Sequence, residues 1–177
     1  LYADAIAAYE QAIAVKPDYA EAYVNMGNAY DEVGRHADAI TSCKKAIVIK
    51  PDFPAAYNCI GGAYGALGQY AEALAAYKQA IAIDADYTKG YYNMGITLDK
   101  LGQYAEAITA FKKAIAIKPD YTEAYVGMGL AYRRLKQYAD SIAAYKKAVA
   151  VKPNHTYAYF QMGYTYLIAE QNALAIT

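Results

Sequence analysis

The sequence has no net charge, because seventeen Lys and Arg balance seventeen Asp and Glu over 177 residues. Without a field of one sign, the chain has no whole-protein attraction for nucleic acid or for an anionic membrane. Cysteine is scarce: Cys43 and Cys59 are too few for a disulfide framework. The two histidines, His36 and His155, are far apart, on expected turns, with no metal-ligand spacing. No apolar run approaches the roughly 18 residues of a membrane span, and no secretory signal is legible. The chain begins at Leu1 and not at Met, which reads as an excerpt or a processed product.

Chemistry is equally sparse. Gly61-Gly62-Ala63-Tyr64-Gly65 is glycine-rich but lacks the order of a phosphate-binding loop, and it falls inside an expected helix. Cys59 could face a groove, yet no neighbour in the sequence would lower its pKa. No Ser/His/Asp arrangement stands out, so no catalysis and no cofactor are expected. Asn154-His155-Thr156 is a formal glycosylation sequon on a turn, relevant only to an exported chain.

What the sequence has is a repeat. Lys16-Pro17-Asp18-Tyr19 recurs as Lys50-Pro51-Asp52-Phe53, Asp84-Ala85-Asp86-Tyr87, Lys118-Pro119-Asp120-Tyr121 and Lys152-Pro153-Asn154-His155, each 34 residues on. The full units run 20–53, 54–87, 88–121 and 122–155, with half a unit before them (1–19) and a truncated one after (156–177). Each unit reads as two helices. Tyr23, Met26, Gly27 and Tyr30 share one face of the first; Ala39, Ile40, Ala46 and Ile47 recur at helical spacing in the second.

Gly34, Gly68 and Gly102 fall between the helices, where a left-handed turn residue is needed, and Lys136 takes that place in the fourth unit. Pro17, Pro51, Pro119 and Pro153 stop the second helix; Ala85 breaks the rule, so a looser third junction is expected. Gly27, Gly61, Gly95, Gly129 and Gly163 sit inside expected helices at about 1 kcal/mol each relative to Ala. Close approach of a paired helix is the compensation that would keep a side chain out of all five positions.

The pattern resembles the tetratricopeptide repeat, a 34-residue helix–turn–helix unit. Tyr23, Tyr57, Tyr91, Tyr125 and Tyr159 stand in place of that family's Trp, and Met26, Ile60, Met94, Met128 and Met162 in place of its Leu. Leu98 replaces the second aromatic of the third unit. The Ala-x3-aromatic element appears as Ala73–Tyr77 and Ala107–Phe111 and departs at Cys43 and Ser141. The resemblance implies an all-α fold, a right-handed α-α superhelix with first helices on the concave face and second helices on the convex one.

Packing absorbs most of the sequence. Of 22 tyrosines, 19 recur at five phases of the repeat; Tyr92, Tyr157 and Tyr164 do not. By similarity to the family these three point into the concave groove. Val24, Asn58, Val126 and Phe160 are expected there too, then Asn28, Ile96 and Leu130, then Asp31, Asp99 and Arg133. With Leu167, the residues Val126, Leu130, Tyr157, Phe160 and Tyr164 would form an apolar stripe, the mark of an interaction surface. Asn25 and Asn93 stand where family members that bind extended peptides hydrogen-bond the ligand backbone; Cys59, Gly127 and Gln161 interrupt that series. No base stands at Val24, Asn58, Tyr92 or Val126, which argues against clamping a terminal carboxylate. Asp31 and Glu32 mark one unit, and Arg133, Arg134 and Lys136 another, a pattern that suits a ligand of opposite polarity. Lys44-Lys45, Lys112-Lys113 and Lys146-Lys147 lie late in second helices, where the helix dipole favours them.

The function expected is a scaffold whose concave groove binds a peptide or helix of a protein partner. Two alternatives stand beside it. One is a homo-oligomer or fibre stacked end to end, since no polar cap is visible at Leu1 or Thr177. The other is the targeting arm of a larger enzyme.

Overall fold

The computed structural model describes the backbone of residues 1–174 and the surroundings of side chains up to 171. Thr177, one of the two ends expected to lack a polar cap, lies outside the described residues. Among the described residues the chain is all-α, with no strand. The helices are α1 (Tyr2–Val15), α2 (Ala20–Glu32), α3 (His36–Ile49), α4 (Pro54–Ala66), α5 (Tyr70–Ile83), α6 (Thr88–Lys100), α7 (Tyr104–Ile117), α8 (Thr122–Arg134), α9 (Tyr138–Val151) and α10 (Thr156–Leu174). They form two compact units, Leu1–Asn93 and Met94–Thr177, with the boundary inside α6.

The turn between the paired helices is built as the glycines require. Gly34, Gly68 and Gly102 have φ of 78°, 74° and 75°. Each is followed by an amide that reaches back to close the helix: Arg35 N–H donates to the Tyr30 carbonyl at 2.8 Å, Gln69 to Tyr64 at 2.9 Å and Gln103 to Leu98 at 2.9 Å. This is the left-handed C-terminal cap, in which orphan carbonyls of the last turn find donors. Lys136 adopts the same conformation at φ 61°, and Gln137 donates to Tyr132 at 2.9 Å.

The opposite junctions are extended. Lys16, Lys50, Lys118 and Lys152 each precede a proline, which excludes the helical region for them, and all four have φ between −135° and −125°. The looser junction expected at Ala85 is not found. Asp84 takes the same conformation, φ −132° and ψ 102°, and its carboxylate accepts the Asp86 amide at 3.0 Å. A side-chain hydrogen bond does there what the proline ring does elsewhere.

The helical glycines explain the pairing. A Cβ built on Gly61 would lie 2.5 Å from the Tyr77 ring, on Gly95 2.7 Å from Phe111, and on Gly129 2.6 Å from Tyr145. A Cβ on Gly27 would collide with Cys43 Sγ. Gly163 departs from the series: among the described residues nothing lies within 4 Å of a Cβ built there. Ser141, in the place of Ala73 and Ala107, adds a bond from its buried hydroxyl to the Gly129 carbonyl at 2.7 Å.

In the first unit each helix from α1 to α5 packs on the next, and α2 also meets α4. One core joins Val24, Cys43, Ala46, Ala56, Cys59 and Ile60; a second joins Ile6, Met26, Ala29, Tyr30, Ala39, Ile40 and Ala63. In the second unit α7, α8, α9 and α10 pack in sequence, α8 also meets α10, and Val126, Tyr145, Ala148 and Ala158 form a core.

The two cysteines are joined. Cys43 on α3 and Cys59 on α4 form a disulfide, so a single cross-link stands where no framework was expected. Cys59 is 5 % exposed and does not offer a thiol to a groove. The expectation for the paired lysines also needs correction: α3, α7 and α9 have no basic residue in their last turn. Lys45 and Lys112 instead lie over the rings of Tyr23 and Tyr132, at 5.8 and 5.7 Å.

Candidate functional site

Two surfaces collect the residues singled out from the sequence, one in each unit. In the first, a cleft of about 260 Å³ is lined by Glu21, Val24, Asn25 and Asn28 of α2, by Phe53, Ala55 and Asn58, and by Tyr87 and Lys89. The leading helices α2 and α4 supply its walls. Asn25 and Asn28 are exposed, and Asn58 is half-buried. Val24, expected in the groove, lines this cleft at only 4 % exposure and also belongs to the core that joins α2 to α4. Its place is the cleft floor.

Asn93 engages a neighbouring asparagine. Its Nδ2 donates to Asn58 Oδ1 at 2.9 Å, so the two amides form a pair within the protein. The bond orients Asn58 with its own NH2 as the donor on offer. Tyr92 is half-buried beside it in the chain.

Charge in the cleft comes from positions not singled out beforehand. Glu21 and Lys89 occupy one phase of the repeat, two units apart, and bring an acid and a base to one cavity. The signal was legible, because charge changes sign at that phase. Phe53 and Tyr87 belong to a tyrosine phase assigned to packing, and they serve both purposes. Burial, and then the neighbouring Asp84 carboxylate, raise the Tyr87 phenol above its ordinary pKa. Glu21 also sits 3.9 Å from Lys50, an exposed ion pair of little energetic weight.

Asp31 is not a vacant charge. Its carboxylate meets His36 Nδ1, at the start of α3, at 2.6 Å. Glu32 accepts the Tyr2 hydroxyl at 3.4 Å. His155 likewise has a local task, accepting the Ala158 amide at 3.1 Å at the start of α10. Among the described residues no group of three His, Cys, Asp or Glu could hold a metal ion, and no helix is long and apolar enough to cross a membrane.

In the second unit the surface lies on α8 and α10. Tyr157, Phe160, Tyr164 and Leu167 are 49, 68, 49 and 58 % exposed. Leu130 is half-buried against the core beneath. Val126 is corrected: at 7 % exposed it lies in the seam between α8 and α10, in contact with the cluster of Tyr145 and Ala158. Arg133 reaches α10, where its guanidinium donates to Gln161 Oε1 at 2.7 Å and stands 5.0 Å from the Tyr164 ring. It therefore braces two helices. On α6, Ile96 is 37 % exposed, and Asp99 is half-buried, with its Oδ1 buried and without a hydrogen-bond partner.

Models of the tetratricopeptide repeat match residues 20–53, 52–120, 92–156 and 126–176, and a TPR repeat model matches residues 2–34. A crystal structure of MamA is 32 % identical, covers 86 % of this chain and 89 % of its own, and superposes with a TM-score of 0.74. The chain belongs to the tetratricopeptide-repeat family. Two further TPR structures share the fold at lower identity. TTC0263, a thermophilic TPR protein in Thermus thermophilus, is 21 % identical over 94 % of this chain and 91 % of its own, with a TM-score of 0.81. YrrB, described as a TPR protein with an unusual peptide-binding site, is 23 % identical over 92 % of this chain and 84 % of its own, with a TM-score of 0.71. Among curated proteins none matches the sequence. The TPR family and fold support a protein-interaction scaffold.

Proposed function

We propose that this TPR chain holds an extended segment of a partner polypeptide in the cleft of its first unit. The observation that carries this reading is the grouping of Asn25, Asn28 and Asn58 around one cavity with Glu21 and Lys89. An amide both donates and accepts, so it matches the alternating carbonyl and N–H groups of an extended backbone. Phe53, Tyr87 and Val24 add apolar contact for alternate side chains of the ligand. Glu21 and Lys89 give it a direction. The peptide-binding site attributed to YrrB supports such a use of the shared fold. The exposed face of Tyr157, Phe160 and Tyr164 is a second candidate surface, suited to an apolar partner segment.

The test is selection of linear dodecapeptides from a random phage-displayed library on the immobilised chain. The selected peptides bind the Asn25→Ala/Asn58→Ala variant at least tenfold more weakly, with far-UV helicity unchanged. Equal binding by the variant removes the cleft from consideration.

Self-assembly is the second reading, and one observation favours it. Tyr9 on α1 is half-buried, whereas its counterparts Tyr77, Phe111 and Tyr145 are at most 4 % exposed. Among the described residues, nothing lies within 4 Å of a Cβ built on Gly163 of α10. A second copy could lay its α1 there, Tyr9 over Gly163, as Tyr145 lies over Gly129. Sedimentation velocity over a range of concentrations decides the matter: a monomer throughout removes this reading.

A further inference from the structure

Cys43 stands at the repeat phase of Tyr77, Phe111 and Tyr145, and Cys59 at the phase of Gly127. The second unit shows what those phases do without sulfur. A Cβ on Gly95 or on Gly127 would lie 2.7 Å from the Phe111 ring, so one aromatic ring fills the space between two leading helices. In the first unit the disulfide fills the corresponding space: a Cβ on Gly27 would meet the sulfurs of both Cys43 and Cys59. The same volume is thus packed twice, once by a ring and once by a covalent bond.

The bond also lies under the cleft. Cys43, Cys59 and the floor residue Val24 share one core cluster. Cys59 is the chain neighbour of Asn58, on the α4 wall, and Cys43 sits on α3 beneath the α2 wall, its Sγ 3.9 Å from the Val24 carbonyl. We propose that the Cys43–Cys59 disulfide is a redox-sensitive clamp that holds the two walls of the amide cleft at fixed spacing. This rests on the reading of that cleft as a binding site.

The switching step is a thiol–disulfide exchange with a reducing dithiol. A thiolate of the dithiol attacks Cys59 Sγ, since Cys59 keeps 5 % exposure and Cys43 none. A mixed disulfide forms at Cys59, and Cys43 leaves as a thiolate and takes up a proton. The second thiol of the reductant then attacks the mixed disulfide and releases Cys59. Two electrons and two protons pass to the cysteine pair, and the reductant becomes a disulfide. In the reduced pair the Val24 and Ala39 carbonyls, 3.9 and 4.0 Å from the two sulfurs, are acceptors for the thiols. What is lost is the tether across 16 residues of chain.

The experiment compares wild-type protein with Cys43→Phe/Cys59→Gly, which installs the Phe111–Gly127 solution, each with and without dithiothreitol. Oxidised wild type, denatured, shows no titratable thiol. On reduction its melting temperature falls by about 5–10 °C, and amide hydrogen exchange in α2 and α4 rises at least tenfold. Peptides selected on the oxidised chain bind the reduced chain at least tenfold more weakly. The double variant changes in none of these respects. Two free thiols in the unreduced chain, or equal exchange in the two redox states, overturns the clamp. A selected peptide indifferent to Asn58→Ala but still sensitive to reduction leaves the clamp standing and sinks the cleft reading instead.

Discussion

The helices α8 and α10 carry the same repeat residues one period apart, yet they lie in different environments. On α8, Gly129 is pressed against the Tyr145 ring, and Tyr125 and Tyr132 are half-buried. On α10, Gly163 meets nothing among the described residues, and Tyr159 and Tyr166 are 48 and 46 % exposed. The difference is the presence of α9 over α8. A residue at a packing phase is buried by the helix that follows it, and the phase alone does not bury it. The glycine cost of about 1 kcal/mol is therefore compensated at Gly129, while among the described residues nothing offsets it at Gly163.

This contrast can be broken by substitution. The largest effect is expected at Tyr145, fully buried with Phe111 as one of the largest such side chains. Tyr145→Ala destabilises by about 3–5 kcal/mol in urea unfolding, while Tyr166→Ala, at half exposure, costs less than about 1 kcal/mol. Equal costs would show that α10 is covered in solution. Next come the glycines. Gly129→Ala forces a Cβ against a ring that cannot retreat and costs about 1–2 kcal/mol after the helix-propensity gain. Gly163→Ala has open space and stabilises by up to about 1 kcal/mol, so the two substitutions have opposite signs.

A smaller gain is expected at the turn between α8 and α9. Lys136 holds φ 61° without being glycine, and Lys136→Gly relieves that conformation by about 0.5–1 kcal/mol. Gly102→Lys should cost a similar amount.

The last effect is confined to alkali. Burial raises the Tyr145 phenol above the ordinary value of 10.0, with nearby Arg133 and the Ser141 hydroxyl opposing the shift. The native state favours the neutral phenol, so this stability is complete below pH 10 and is lost as pH climbs through the raised native value. Tyr145→Phe removes that slope in alkaline urea titrations, whereas Tyr166→Phe leaves it in place.

Much of the site was legible by phase and some was not. Asn25 was singled out by the resemblance to family members that bind extended peptides, Asn28, Asn58 and Phe160 by the groove phases that resemblance implies, and Tyr157 and Tyr164 because they fall outside the tyrosine phases. Val126 was misplaced because helical spacing reports an angle around one helix. It does not report how near the next leading helix comes, and that neighbour turns a groove position into a seam. Glu21 and Lys89 were overlooked although charge changes sign at their repeat phase; that they line one cavity within the first compact unit was visible only in the structure.

The 34-residue period, the helix pairs, the left-handed turns and the glycine notches follow from the sequence alone, because each depends on residues a few positions apart along one chain segment. Only the tertiary structure decided that Cys43 meets Cys59, that Asn93 engages Asn58 and that Arg133 braces α10. Those outcomes depend on the distance between helices in space, which a periodic pattern does not encode.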